Sequence, residues 1–235
     1  MTLQKRRKSA KMAAERMLPM FTGFSPETID FLWGLRLNNN REWFEAHKKE
    51  YQKFLYEPMK ALAAEVFSHF QDVPNMAYKC SRIYKDARLH PKVPYKESLW
   101  LSMRPDNLPW SEQPTLYFEI RPEGYSYGFI LWKPKTEAME QFRRMLLAKP
   151  DEFPAFVKKM EKSSGVSFKA ENYYRKKPCE NEAVKEFYNL KTIFMDVDRE
   201  PDDLLFSPEL AKEVTKTLKA LYPMYEYCLK FTSAL

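Results

Sequence analysis

Residues 115–132, TLYFEIRPEGYSYGFILW, decide the fold class. Two runs rich in aromatic and aliphatic side chains flank Pro122-Glu123-Gly124. In Thr115–Arg121 the side chains alternate: Leu116, Phe118 and Ile120 fall on one face, and Tyr117, Glu119 and Arg121 on the other. That two-residue period belongs to a strand with one face toward a core. Proline and glycine in the intervening three residues read as a hairpin turn. Tyr125–Trp132 is then the returning strand.

Outward from this hairpin, Ser98–Arg104 has the same strand composition, and the strand pattern begins near Lys79. Before it the period is helical. Ser25-Pro26-Glu27 reads as an N-cap, a proline at the first helical position and a first-turn acid. Ile29, Leu32, Trp33 and Leu35 follow, and Asn38-Asn39-Asn40 stops the helix because asparagine side chains compete for the backbone. Asn39 or Asn40 caps a second helix carrying Trp43, Phe44, His47, Tyr51, Phe54 and Leu55, which Pro58 kinks or restarts before a third segment to about Phe70.

The helical period returns after Pro134, with Met139, Phe142, Met145 and Leu146, then again over Asp151–Lys162 up to Ser163-Ser164-Gly165. A short strand at Val166–Lys169, a helix over Glu182–Leu190 and an extended run at Thr192–Val197 are expected next. Ser207-Pro208-Glu209 opens a last helix to Phe231, which Pro223 should kink or split. Helices, then strands, then helices is an α+β order. It predicts a central, mostly antiparallel sheet at about residues 79–132 between N-terminal and C-terminal helices. The division expected is a flexible basic tail, 1–19, and one domain, 20–235.

Composition narrows the function classes. The chain of 235 residues is 44% hydrophobic and 15% aromatic, enough for a sizeable core, and no apolar run approaches the ~18 residues that span a bilayer. Cys80, Cys179 and Cys228 are odd in number and far apart, which argues for a reducing, cytoplasmic setting rather than a disulfide framework. The formal charge is +7, but residues 1–19 hold Lys5, Arg6, Arg7, Lys8, Lys11 and Arg16 against Glu15, leaving only +2 for the rest. A strong phosphate-seeking field over the body is therefore not expected, which argues against nucleic acid as the partner. The tail itself reads as an anion-touching arm, a serine-poor transit-like segment or an ordinary extended start.

The polar chemistry concentrates in residues 79–96, KCSRIYKDARLHPKVPYK. If residues 80–88 are extended, Arg82, Asp86 and Arg88 share one face. A carboxylate between two guanidiniums accepts forked hydrogen bonds and fixes both planes, which makes a receptor for phosphate, sulfate or carboxylate. Pro91 and Pro94 stiffen the next turn, and Lys92, Tyr95 and Lys96 close around the same point. The same ladder also serves as a solvated ion network or as a polar layer between strands and helices.

At these residues the chain resembles the domain of unknown function 2461 family, uncharacterised bacterial and fungal proteins. The likeness rests on NNNREWFEAHKKEY at 38–51, RIYKDARL at 82–89, KVPYK at 92–96 and YFEIRPEGYSYGF at 117–129. It covers about Phe21 to the C-terminus and implies a fold but no reaction. Lys85 and Leu89 stand where the family usually has Arg and Phe, and an ammonium at 85 cannot fork a carboxylate as a guanidinium does. The matching also singles out Arg41 and Lys48 as secondary candidates near the segment, along with Asn40 as a cap and Trp43 as core.

Other constellations are thinner. Asp196 and Asp198 alternate on one strand face without a third ligand nearby, so solvated carboxylates are expected. His47, His69 and His90 lack metal-ligand spacing, and His90 stands as a secondary candidate for a general base. Five glycines leave no phosphate-cradling loop. No metal and no cofactor is expected. Tyr173-Tyr174-Arg175-Lys176-Lys177 reads as a surface loop. The leading expectation is a pocket for a small anion built from Arg82, Asp86, Arg88, Lys92, Tyr95 and Lys96. The competitors are an enzyme using Asp86, Tyr95 or His90, a weak nucleic-acid binder through the tail, and a non-catalytic interaction module. No membrane association is expected, and the oligomeric state is not read from the sequence.

Overall fold

The computed structural model describes residues 20–86, 88–90, 92–106 and 109–232. Six strands form one antiparallel sheet: β1 (Met76–Cys80), β2 (Leu99–Pro105), β3 (Thr115–Arg121), β4 (Gly124–Leu131), β5 (Phe168–Asn172) and β6 (Leu190–Arg199), in the order β1-β2-β3-β4-β6-β5. The hairpin is in place, with Leu116 opposite Phe129 and Phe118 opposite Tyr127. Leu116, Phe118 and Ile120 are fully buried, as their alternation requires. The fold is α+β. The sheet extends past residue 132, because β5 and β6 join it at the β4 edge.

Helices α1 (Pro26–Leu37), α2 (Arg41–Ala46), α3 (Lys48–Glu50) and α4 (Glu57–Ser68) precede the sheet. Helices α5 (Thr136–Ala148), α6 (Glu152–Ser164) and α7 (Glu209–Thr232) follow within it or after it. Their contacts lie on one sheet face. The Phe67 ring of α4 meets Tyr78, Phe24 before α1 stacks on Phe118, and Phe153 of α6 meets Phe168. Along β3 and β6 these buried positions alternate with half-exposed ones, so the second face keeps contact with water.

Local rules account for the N-terminal helices. Asn40 caps α2 by accepting the Trp43 N–H at 2.9 Å, one of the donors a helix start leaves without a partner. Pro58 does not break the chain. It sits in the first turn of α4 after a π-helical stretch, Tyr51–Tyr56. Proline has no N–H to give to the carbonyl four residues back, that of Phe54. The Thr28 hydroxyl of α1 donates to that carbonyl instead, at 2.6 Å.

Three expectations are corrected. Residues 182–189 form successive turns, not a helix. Their hydrogen bonds run Val184 N–H to Asn181 O and Phe187 N–H to Val184 O, three residues apart, while the Asn189 amide is held by the Lys177 backbone. The short strand starts at Phe168 rather than Val166, since Ser164 and Glu161 side chains still bind the Val166 and Phe168 amides. Pro223 does not split α7, whose 24 residues continue through it. Burial of Leu218 and Leu221 before it and Met224, Tyr225 and Cys228 after it holds both halves to the core. The tail, residues 1–19, lies outside the described residues, as does Pro91.

Candidate functional site

β1 ends at Cys80, and neither residues 82–86 nor Arg88 belong to a strand, so Arg82, Asp86 and Arg88 share no strand face. The Asp86 side chain explains the break. Its Oδ1 accepts the Arg88 N–H at 3.1 Å, while its carbonyl accepts the Leu89 and His90 amides. This is a local turn that competes with a sheet ladder. The chain comes back through an isolated antiparallel bridge between Tyr84 and Tyr95, with Lys85 N–H to Pro94 O at 2.8 Å and Lys96 N–H to Ile83 O at 2.7 Å.

The expected residues therefore separate into three places. Asp86 and Arg88 form their own pair: the guanidinium donates from Nε to Oδ1 at 3.0 Å and from Nη2 to Oδ2 at 2.7 Å, with the Arg88 side chain 88% exposed. The Arg88 hydrogen bonds hold the Asp86 carboxyl below the usual carboxylate range. Lys92 and His90 are exposed on the same loop.

Tyr95 points the other way. It is buried, its ring stacks on Phe44 of α2 at 4.1 Å, and Arg41 and Lys48 lie near enough for their charges to bear on its hydroxyl. Burial is the main cause that pushes the Tyr95 phenol up. Lys48 also pairs with Glu45 at 3.1 Å.

The third place is the water-facing side of the sheet. Ser81 donates its N–H to Trp100 O at 2.7 Å and accepts the Trp100 N–H on its hydroxyl, so the exposed Arg82 follows directly on the residue paired with Trp100. Lys96 reaches the same spot, its amine 6.0 Å from the Trp100 ring centroid. Burial lowers the Lys96 pKa, and the nearby Arg82 charge lowers it further. Neither side chain has an ion-pair partner among the described residues. Among the described residues, then, these two cations are neighbours and neither is ion-paired.

Beside them opens a cleft of about 220 Å³ lined by Trp100, Trp110, Thr115, Tyr117, Glu119, Ile130 and Trp132. Trp110 comes from a 3-10 turn, Trp110–Glu112, and meets Trp100 at 5.3 Å with the rings 50° apart. Glu119 accepts a hydrogen bond from the Ser98 hydroxyl at 2.6 Å. Tyr117, Gly128 and Asp196 lie in one cross-strand row. Glycine in the middle lets the Tyr117 hydroxyl cross β4 and donate to Asp196 at 3.0 Å; a Cβ on Gly128 would lie 2.2 Å from Met195 O. Lys169 pairs with Asp196 at 2.8 Å and Arg121 pairs with Asp198, so these carboxylates have partners on the sheet. Among the described residues no three His, Cys, Asp or Glu side chains are placed to hold a metal.

The cleft was not singled out by motif. Its signal was the second phase of the β3 alternation, Tyr117 and Glu119, together with the tryptophans at 100, 110 and 132.

The model of the conserved hypothetical protein family DUF2461 matches residues 27–227. The chain belongs to this family. The match spans the helices, the whole sheet and most of α7, so the cleft and the 82–96 loop both lie inside the family's domain. No curated protein matches the chain. Membership in DUF2461 supplies no reaction, and the chemistry of the site rests on its own geometry. No helix of the described residues is long and apolar enough to cross a membrane.

Proposed function

We propose that the protein binds a small anionic molecule through Arg82 and Lys96, at the edge of the tryptophan-lined cleft. One observation carries this reading: Arg82 sits between Ser81, which bonds the Trp100 backbone, and Ile83, whose carbonyl accepts the Lys96 N–H, so the two cationic residues are neighbours on this edge, and neither has an ion-pair partner among the described residues. Holding like charges together costs energy unless an anion joins them. The half-buried setting of Lys96 strengthens an ionic contact relative to one in open water. Asp86 and Arg88 have a different role here. Each satisfies the other, so the pair shapes the loop rather than receiving the ligand.

The site belongs to a cytoplasmic binding protein in this reading. The three thiols are free, and burial pushes Cys80 up to about 12, so it stays protonated rather than reactive. Soaking crystals in selenate tests the site. An anion within ~3 Å of both Arg82 and Lys96 supports it. Anion density only at Arg88 or Lys92 would refute it.

A further inference from the structure

Resting on the anion reading of Arg82 and Lys96, we propose that the adjoining cleft receives a methylated ammonium group. The ligand is then a compact zwitterion, its quaternary ammonium among the indoles and its phosphate or carboxylate at the two cations. The faces of Trp100, Trp110 and Trp132 are electron-rich, and a cation within ~6 Å of such a ring is attracted to it. Trp100 and Trp110 meet at 50°, so they form the two walls of a corner rather than a stack. Glu119 adds a carboxylate to the same cleft; it makes no ion pair among the described residues, though its charge also bears on Arg121. Aromatic walls with a carboxylate complement a cation.

The polar inventory selects which cation. A primary ammonium needs three acceptors and a sugar needs a ring of donors and acceptors. Here the Tyr117 hydroxyl is committed to Asp196 and one Glu119 oxygen to Ser98. A methylated ammonium asks for no hydrogen bonds. The volume, about 220 Å³, is well beyond the roughly 10–15 Å³ that admits a single water, and leaves room for a compact group. Lys96 lies 6.0 Å from the Trp100 centroid and Lys133 lies 5.9 Å from the Trp132 centroid, and both would repel a bare cation. A ligand that also carries a negative group offsets the Lys96 repulsion, which is why a zwitterion fits better than either half.

Tryptophan fluorescence and calorimetry on the full chain test this with five probes: tetramethylammonium, 3,3-dimethylbutanol (whose tert-butyl group is the neutral isostere of a trimethylammonium), inorganic phosphate, and the zwitterions phosphocholine and glycine betaine. The inference expects saturable quenching by tetramethylammonium, at least ~10-fold weaker binding of the neutral isostere, and at least ~10-fold tighter binding of one zwitterion. The preferred zwitterion tells phosphate from carboxylate. Glu119→Gln and Trp110→Ala should weaken tetramethylammonium by ~10-fold and leave inorganic phosphate unchanged; Trp110 is 40% exposed, so its removal spares the core. Equal binding of isostere and tetramethylammonium overturns the inference. Phosphate binding without tetramethylammonium binding overturns it too, and leaves the anion reading standing. Tetramethylammonium binding without phosphate binding overturns the anion reading and the zwitterion with it.

Discussion

Asn39 and Tyr95 exchange two hydrogen bonds, Tyr95 N–H to Asn39 Oδ1 at 3.0 Å and Asn39 Nδ2 to Tyr95 O at 3.1 Å. A primary amide presents a donor and an acceptor side by side, as a neighbouring strand would. Asn39 thus serves as a one-residue strand partner to the Pro94-Tyr95-Lys96 segment. The stack of Tyr95 on Phe44 then fixes α2 against the loop, and Lys96, one residue on, is directed to the other side, toward Trp100.

Replacing Asn39 with alanine should therefore destabilise the fold by about 1–3 kcal/mol, since it removes both partners of a part-buried peptide. Urea unfolding checks this, with a lower midpoint and an unchanged m-value expected. Anion affinity should fall in the same variant, because Lys96 loses its anchor. A variant as stable as wild type would mean that solvent serves Tyr95 equally well.

Asp202 gives a pH-dependent test of stability. Burial alone would raise its pKa, but hydrogen bonds from Arg199, Tyr125 and the Leu205 amide together lower it. The Tyr125 hydroxyl donates to Oδ1 at 2.9 Å and the Arg199 Nε to Oδ2 at 2.8 Å. A carboxylate with a depressed folded pKa contributes stability that is fully present above its unfolded pKa, ~3.9, and is lost as pH falls through the folded value. Asp202→Asn should cost about 1–2 kcal/mol at pH 7. The difference from wild type should shrink as the pH is lowered below ~4. Thermal unfolding of both proteins across that range decides it; a gap independent of pH would show that the charge is not what matters.

Most of the sheet was legible because its signal is local. Leu116, Phe118 and Ile120 alternate, the turn is three residues, and nothing distant competes. The cap at Asn40 was legible for the same reason, and so was the helix start at Ser25, where the Ser25 N–H donates to the Thr28 hydroxyl. Residues 182–189 and Pro223 were not, since each depends on what distant residues supply: the Lys177 backbone in one case and the sheet-facing core in the other. Within the candidate site, the residue types were readable but their grouping was not. An extended reading of 82–88 placed Arg88 with Arg82, whereas the Asx-type turn at Asp86 removes it. Trp100, Trp110 and Trp132 are brought together by strand register and by a turn whose position no short motif encodes.

Lys96 makes anion binding depend on pH. Burial first, and Arg82 second, place its pKa below the ordinary lysine value. The charged form binds the anion, so affinity should be constant at neutral pH and fall as pH rises through the lowered Lys96 pKa. The fall should begin at lower pH than for a free lysine. Lys96→Arg should shift that decline to still higher pH, since a guanidinium does not titrate in the alkaline range. Sulfate calorimetry between pH 7 and 10.5, where the probe itself does not titrate, reads both effects; identical profiles for the two proteins would exclude Lys96 from the site.

The most direct measurement is phosphate affinity, by calorimetry, for wild type beside Arg82→Ala, Lys96→Ala and Arg88→Ala. An ion-pair hydrogen bond contributes about 1.5–3 kcal/mol, roughly 10-fold or more in affinity. The first two substitutions should weaken binding by at least that factor, and Arg88→Ala should leave it within about twofold, because Arg88 is spent on Asp86. Loss of binding in Arg88→Ala, with Arg82→Ala and Lys96→Ala binding like wild type, would contradict the assignment of the anion to the cleft edge.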